Sequence, residues 1–109
     1  MDTKSAIHQI KIKTGILKRC TKEYSYYDQE KVTKLEKLEK LKQGEAEEGT
    51  IWRAEVCLAE SEMMMANCAV KIFAAIPKLQ QLIEENSEDG ELIETEEWKE
   101  GVLVLEQST

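Results

Sequence analysis

Proline occurs once in 109 residues, glycine five times, and aromatic side chains make up 6% of the chain. Sheet proteins need turn residues every few positions and disordered tracts are rich in them, so this scarcity argues against both. Histidine is scarcer still: His8 stands alone, with no second imidazole to share a metal or a proton. Cys20, Cys57 and Cys68 are odd in number and form no CxxC pair, which indicates neither a disulfide framework nor a zinc site and fits a reducing compartment. Long apolar runs are missing too. The best of them, Met63 to Ile76, is broken by Asn67 and Lys71 and is too short to cross a bilayer. Met1 to Thr14 mixes charges with its apolar residues, so no signal peptide is expected and a soluble cytosolic protein is.

What the chain does contain is charge and helix-forming residues. Charged side chains make up 34% of it, and the net charge of −7 is unevenly spread. Residues 1–43 hold 11 basic and 6 acidic groups, whereas residues 44–109 hold 4 basic and 16 acidic. Such a distribution suits a partner with patches of both signs, or self-complementary packing, and argues against general nucleic-acid binding.

The clearest periodic stretch is the middle one. Steps of three and four from Ile51 reach Ala54, Leu58, Ser61, Met65, Cys68, Ile72, Ala75, Leu79 and Leu82, with Ser61 the single polar residue. That spacing predicts a long helix buried against other helices. Before it, Ile7, Ile10, Leu17, Cys20, Tyr24, Tyr27, Leu35, Leu38 and Leu41 mark a first amphipathic helix, with Thr14 and Lys31 in its gaps. Asp2 or Thr3 can cap it and Gly44 can stop it. After it, Leu92, Thr95, Trp98, Val102 and Leu105 form a thinner seam weakened by Gly101, and Asp89 or Ser87 is the expected cap. Thr50 is the expected cap of the middle helix, and Pro77 predicts a kink near Phe73. Short polar connectors imply up-down-up threading. The fold expected is all-α, an elongated antiparallel three-helix bundle with coiled-coil-like packing, as one domain over residues 1–109 with helices at about 3–43, 51–85 and 90–107.

No catalytic constellation emerges, so no enzyme, cofactor or metal is expected. Glu85 to Glu96 imitates a twelve-residue calcium loop, with Ser87, Asp89 and Gly90 in register, but it begins with Glu rather than Asp and has no second loop to pair with. An acidic turn between helices is the simpler account. More informative is a second apolar line on the middle helix: Trp52, Val56, Ala59, Met63, Ala66, Val70 and Phe73. A helix between two neighbours needs a wide apolar arc, which accounts for most of this line. The other reading is an exposed patch that binds another protein or a second copy, with Met63 and Phe73 as anchors. Ile12 and Ile16 raise the same question on the first helix.

Gln9-Ile10-Lys11-Ile12-Lys13-Thr14-Gly15, with Lys18-Arg19 and Lys22-Glu23, resembles the N-terminal signature of the tubulin-specific chaperone A family, also called tubulin-binding cofactor A. Glu60-Ser61, Met63-Met64 and Cys68 match its second signature, and Glu96-Glu97-Trp98-Lys99-Glu100 with Leu103-Val104-Leu105 is similar to its third helix. The likeness covers nearly the whole chain. The family usually has proline and an acidic residue where Ala66 and Asn67 stand and lacks Pro77, which moves the expected bend by about three turns of 3.6 residues. The resemblance implies a three-helix rod that captures β-tubulin during folding, on the way to αβ-tubulin heterodimers, without nucleotide, metal or catalysis, and that works with other tubulin-folding cofactors. It implies a cytoplasmic, cytoskeleton-associated monomer or homodimer with no nucleic-acid or membrane partner. The candidate partner-binding residues are Lys11, Ile12, Lys13, Lys18 and Arg19 on the first helix, with Glu55, Glu62, Met63, Met64, Asn67, Lys71 and Phe73 on the second. The rival reading is a helical dimerisation or scaffold module without chaperone activity.

Overall fold

Asp2 opens the first helix: its carboxylate accepts the Ser5 N–H at 2.7 Å and its carbonyl accepts that of Ala6 at 2.9 Å. The first satisfies one of the donors that a helix start leaves unpaired, and the second is the first bond of the helical ladder. The computed structural model describes residues 2–109, so Met1, the first residue of the expected domain, lies outside the described residues. Helix α1 runs Thr3–Gln43, and at its end the Gly44 N–H bonds to the Lys40 carbonyl at 3.2 Å.

Helix α2 runs Glu48–Glu85 and starts ahead of the expected Thr50 cap. The N–H groups of Thr50 and Ile51 both bond to the Glu47 carbonyl, at 3.0 and 3.1 Å, so helical bonding begins one residue before α2 and Thr50 lies inside it. Pro77 sits within α2, which continues through it as α-helix even though the proline ring offers no N–H to the Phe73 carbonyl.

The expected single helix over 90–107 is instead two pieces. A 3-10 turn at Leu92–Glu94 precedes helix α3, Glu96–Ser108. Thr95 separates them because its backbone is extended, with φ −76° and ψ 152°. Its hydroxyl accepts the Trp98 N–H at 3.2 Å, making Thr95 the N-cap of α3. Asp89 serves the 3-10 turn instead, accepting the N–H groups of Glu91 and Leu92 at 3.1 Å each. Among the described residues there is no strand, and the protein is an all-α antiparallel three-helix bundle.

The packing forms two compact units. The first comprises residues 1–21 and 70–109, and joins the start of α1, the end of α2 and α3 around Ala6, Ile10, Leu17, Ala75, Leu79, Leu92 and Val104. Half-buried Ile7, Ile16, Ile72, Ile76, Leu82, Ile83, Trp98 and Leu105 surround that core. Burying each large apolar side chain here contributes about 1.5–3 kcal/mol. The second unit, residues 22–69, is a hairpin of the end of α1 and the start of α2. It is antiparallel, since Lys31 faces Glu62 while the later Lys42 faces the earlier Glu55, each at 4.0 Å.

Every residue of the α2 seam from Ile51 to Leu82 is buried or half-buried. On α1 the periodic reading needs correction, because Tyr24 and Leu35 are exposed. Lys34 turns inward instead and meets Ser61, the one polar residue of the facing seam. On α3 the buried positions are Gly101 and Val104, neither of which belongs to the expected seam. Gly101 is a contact point. A Cβ there would stand 3.0 Å from Ile10 Cγ2 and 3.1 Å from Thr14 Oγ1, closer than side chains normally pack.

Candidate partner-binding surface

The second apolar line on α2 does not face a neighbouring helix. In the hairpin unit Trp52 is 66% exposed and Met63 59%, and Val56, Ala59, Met64 and Ala66 are exposed with them. At about 100° per residue, Trp52, Val56, Ala59, Met63 and Ala66 share an arc on the side of α2 away from Leu58, Ser61 and Met65. The same spacing reaches Val70 and Phe73 in the other unit, where they stand 68% and 75% exposed. A wide arc shared between two neighbours is therefore not the explanation of this line. Large apolar side chains grouped on a solvent face mark binding surfaces more often than isolated ones do.

The charged candidates separate by position. Lys11 and Lys18 line one shallow groove together with Glu96, Glu97 and Glu100 of α3, and the Lys18 ammonium pairs with Glu100. Lys13 lies on another side of α1, in a groove with Lys78, Gln81 and Glu85. Arg19 and Ile12 are exposed about 20° apart around α1, seven residues along. The basic residues of the first arm thus form no single patch. On α2, Glu62 and Glu55 reach toward Lys31 and Lys42, and such exposed pairs contribute about 0–1 kcal/mol. Met63, Met64, Asn67, Lys71 and Phe73 are all exposed.

Trp52, Val56 and Val70 join the exposed line without having been singled out as site residues; their spacing from Met63 and Phe73 was the available signal. Tyr24, Tyr26, Val32 and Leu35 on α1 and Leu103 on α3 are further exposed large apolar residues. In Tyr26 and Tyr27 the rings meet edge to face, 5.2 Å apart. Among the described residues no three His, Cys, Asp or Glu side chains are grouped to hold a metal ion. In the acidic turn, the Asp89 carboxylate is already engaged by the Thr3 hydroxyl at 2.6 Å and by two backbone N–H groups.

Comparison with known proteins places this geometry. Residues 5–105 match the family model described as tubulin binding cofactor A. The chain is 41% identical to the tubulin-specific chaperone A of Homo sapiens and 40% identical to that of Oryctolagus cuniculus, over 100 residues that span 92% of this chain and 90% of each relative. The chaperone of Gallus gallus is 39% identical over the same share. A solved structure, human tubulin chaperone cofactor a, matches with a TM-score of 0.78 at 37% identity, covering 94% of this chain and 96% of that one. With the family model spanning nearly the whole sequence and the helical fold shared at this level of identity, the chain belongs to the tubulin binding cofactor A family.

Proposed function

We propose that this protein is a tubulin-folding cofactor that captures β-tubulin folding intermediates on the way to αβ-tubulin heterodimers, by binding alone and without catalysis. The observation that carries the reading is the exposed apolar line of α2, above all Val70 and Phe73, on a member of a family named for tubulin binding. A folding intermediate offers unburied apolar surface, and a rigid helix face with adaptable methionine and aromatic anchors is suited to cover it. Lys11, Lys13 and Arg19 add attraction for acidic client surfaces, a contribution that salt weakens. The reading also places the protein in the cytoplasm, in association with the cytoskeleton and with other tubulin-folding cofactors.

A pull-down of β-tubulin tests it. Phe73→Ser with Val70→Ser should abolish most capture while leaving the helical circular dichroism intact, because neither side chain is buried. Charge reversal at Lys11, Lys13 and Arg19 should weaken capture chiefly at low salt. Capture should persist in chelator and without nucleotide. Undiminished capture by both sets of variants would overturn the assignment. The same exposed line also favours a second reading, a homodimerisation module. Concentration-dependent sedimentation that Phe73→Ser abolishes, together with no tubulin in the pull-down, would establish that reading instead.

A further inference from the structure

Between α1 and α2 of the hairpin unit lies a cleft of about 240 Å³ whose floor is Leu41, Ala54 and Cys57 and whose rim carries Lys34, Lys37 and Arg53. No carboxylate lines it, in a protein whose net charge is −7. Lys34 is already committed. Its ammonium donates to the Cys57 carbonyl at 3.1 Å and the Ser61 hydroxyl at 2.8 Å, and pairs with Glu30 at 2.7 Å. Among the described residues, Lys37 and Arg53 have neither an ion pair nor a side-chain hydrogen bond.

Two uncompensated cations at one opening repel each other, and a ligand carboxylate beside them relieves that repulsion. The arginine fork can hold a carboxylate through two parallel bonds, which a lysine cannot. The apolar floor adds a second requirement, an apolar group that can enter. At about 240 Å³ the cleft falls below the roughly 300–1,000 Å³ usual for small-molecule sites, and it fits one side chain.

We infer that this cleft is a docking site for an extended acidic peptide segment, with one apolar or aromatic side chain seated over Leu41 and Ala54 and flanking carboxylates on Lys37 and Arg53. The inference stands on the cleft itself and goes beyond the client reading: it assigns binding to residues apart from the exposed line of α2. It gives the protein a second attachment point, for acidic sequence rather than for apolar surface.

Fluorescence anisotropy with a fluorescein-labelled Glu-Glu-Phe-Glu-Glu peptide tests the inference on the whole chain, without tubulin, so that an empty cleft and a failed capture assay are told apart. Binding should weaken as salt rises between about 0.05 and 0.3 M. Lys37→Glu with Arg53→Glu should weaken it by about tenfold or more, the scale of losing two charge contacts. Lys4→Glu with Lys22→Glu makes the same change in net charge at exposed positions elsewhere on α1, and should leave affinity within about twofold. Amide chemical shifts should move at Lys37, Leu41, Arg53 and Ala54. Equal weakening by the two charge variants would overturn the inference, and so would equal binding of a Lys-Lys-Phe-Lys-Lys peptide. Displacement of the acidic peptide by an equal concentration of inorganic phosphate would overturn it as well, by showing a simple anion site.

Discussion

Asp89 shows how one side chain can tie distant parts of the chain together. The Thr3 hydroxyl, with help from the backbone N–H groups of Leu92 and Glu91, holds its carboxyl below the usual carboxylate range, because each of these donors favours the charged form. A group whose pKa is depressed in the folded state stabilises that state at pH values above its unfolded pKa, and the stabilisation disappears as pH falls through the folded value. Asp89→Asn should therefore melt below the unaltered protein at neutral pH. As the pH drops below about 3.8, the ordinary value for such a carboxyl, the difference between the two melting temperatures should shrink. A gap independent of pH would mean that the Asp89 charge does not matter to the fold. Asp2 behaves in the same sense, its carboxyl lowered mainly by the Ser5 N–H. The cap at Asp2 is legible in the sequence, but the Thr3 bond of Asp89 is not: the two residues are 86 positions apart, and only the closed first unit brings them to 2.6 Å.

At the level of the helix, α3 is held against α1 by closeness rather than by bulk. Gly101 is buried, and it meets Ile10, Thr14 and Leu79 where a longer side chain would find atoms already in place. Thr14 Oγ1 is also buried there, without a hydrogen-bond partner. Gly101→Val should destabilise the protein by about 1–3 kcal/mol, the usual cost of overpacking, in spite of better helix propensity. Urea unfolding followed by the fluorescence of half-buried Trp98 reads this directly. Thr14→Ala removes the hydroxyl in the way and should make Gly101→Ala less costly than it is alone, a coupling that a double-mutant cycle resolves. In the sequence Gly101 reads only as a weak point of helix propensity, and its role as a contact point shows once α1 is known to pass over it. The α2 seam was legible because its spacing is set by helix geometry and every step lands on the buried side. The second apolar line was legible as a pattern but not as a surface. Periodicity tells which residues share a face of α2; whether a neighbour covers that face depends on where α1 and α3 go. For the same reason the sequence names Lys18 as a candidate partner-binding residue without showing that Glu100 pairs with it from the far end of the chain.

Over the whole molecule the two units differ in what protects them. The first surrounds Ile10, Leu17, Leu79 and Leu92, all fully buried, with three helices. The second has two helices, with Leu38 and Cys68 its buried apolar residues, and it leaves Val32, Leu35, Trp52 and Met63 exposed. A helix packed on one side only relies on fewer tertiary contacts to keep its hydrogen bonds closed, and regions with few buried apolar contacts open at lower free energy than the global transition. Native-state hydrogen exchange should accordingly show faster exchange for amides of 32–41 and 52–58 than for those of 10–17 and 75–79. Uniform protection across both sets would mean that the hairpin draws stability from a source other than its own buried contacts. The difference bears on binding, because the hairpin unit carries both the cationic cleft and the Trp52 to Ala66 stretch of the apolar line. A ligand that closes over either one binds the folded hairpin and not its opened forms, so saturating amounts should slow exchange in 32–41 and 52–58 first and leave the three-helix core nearly unchanged.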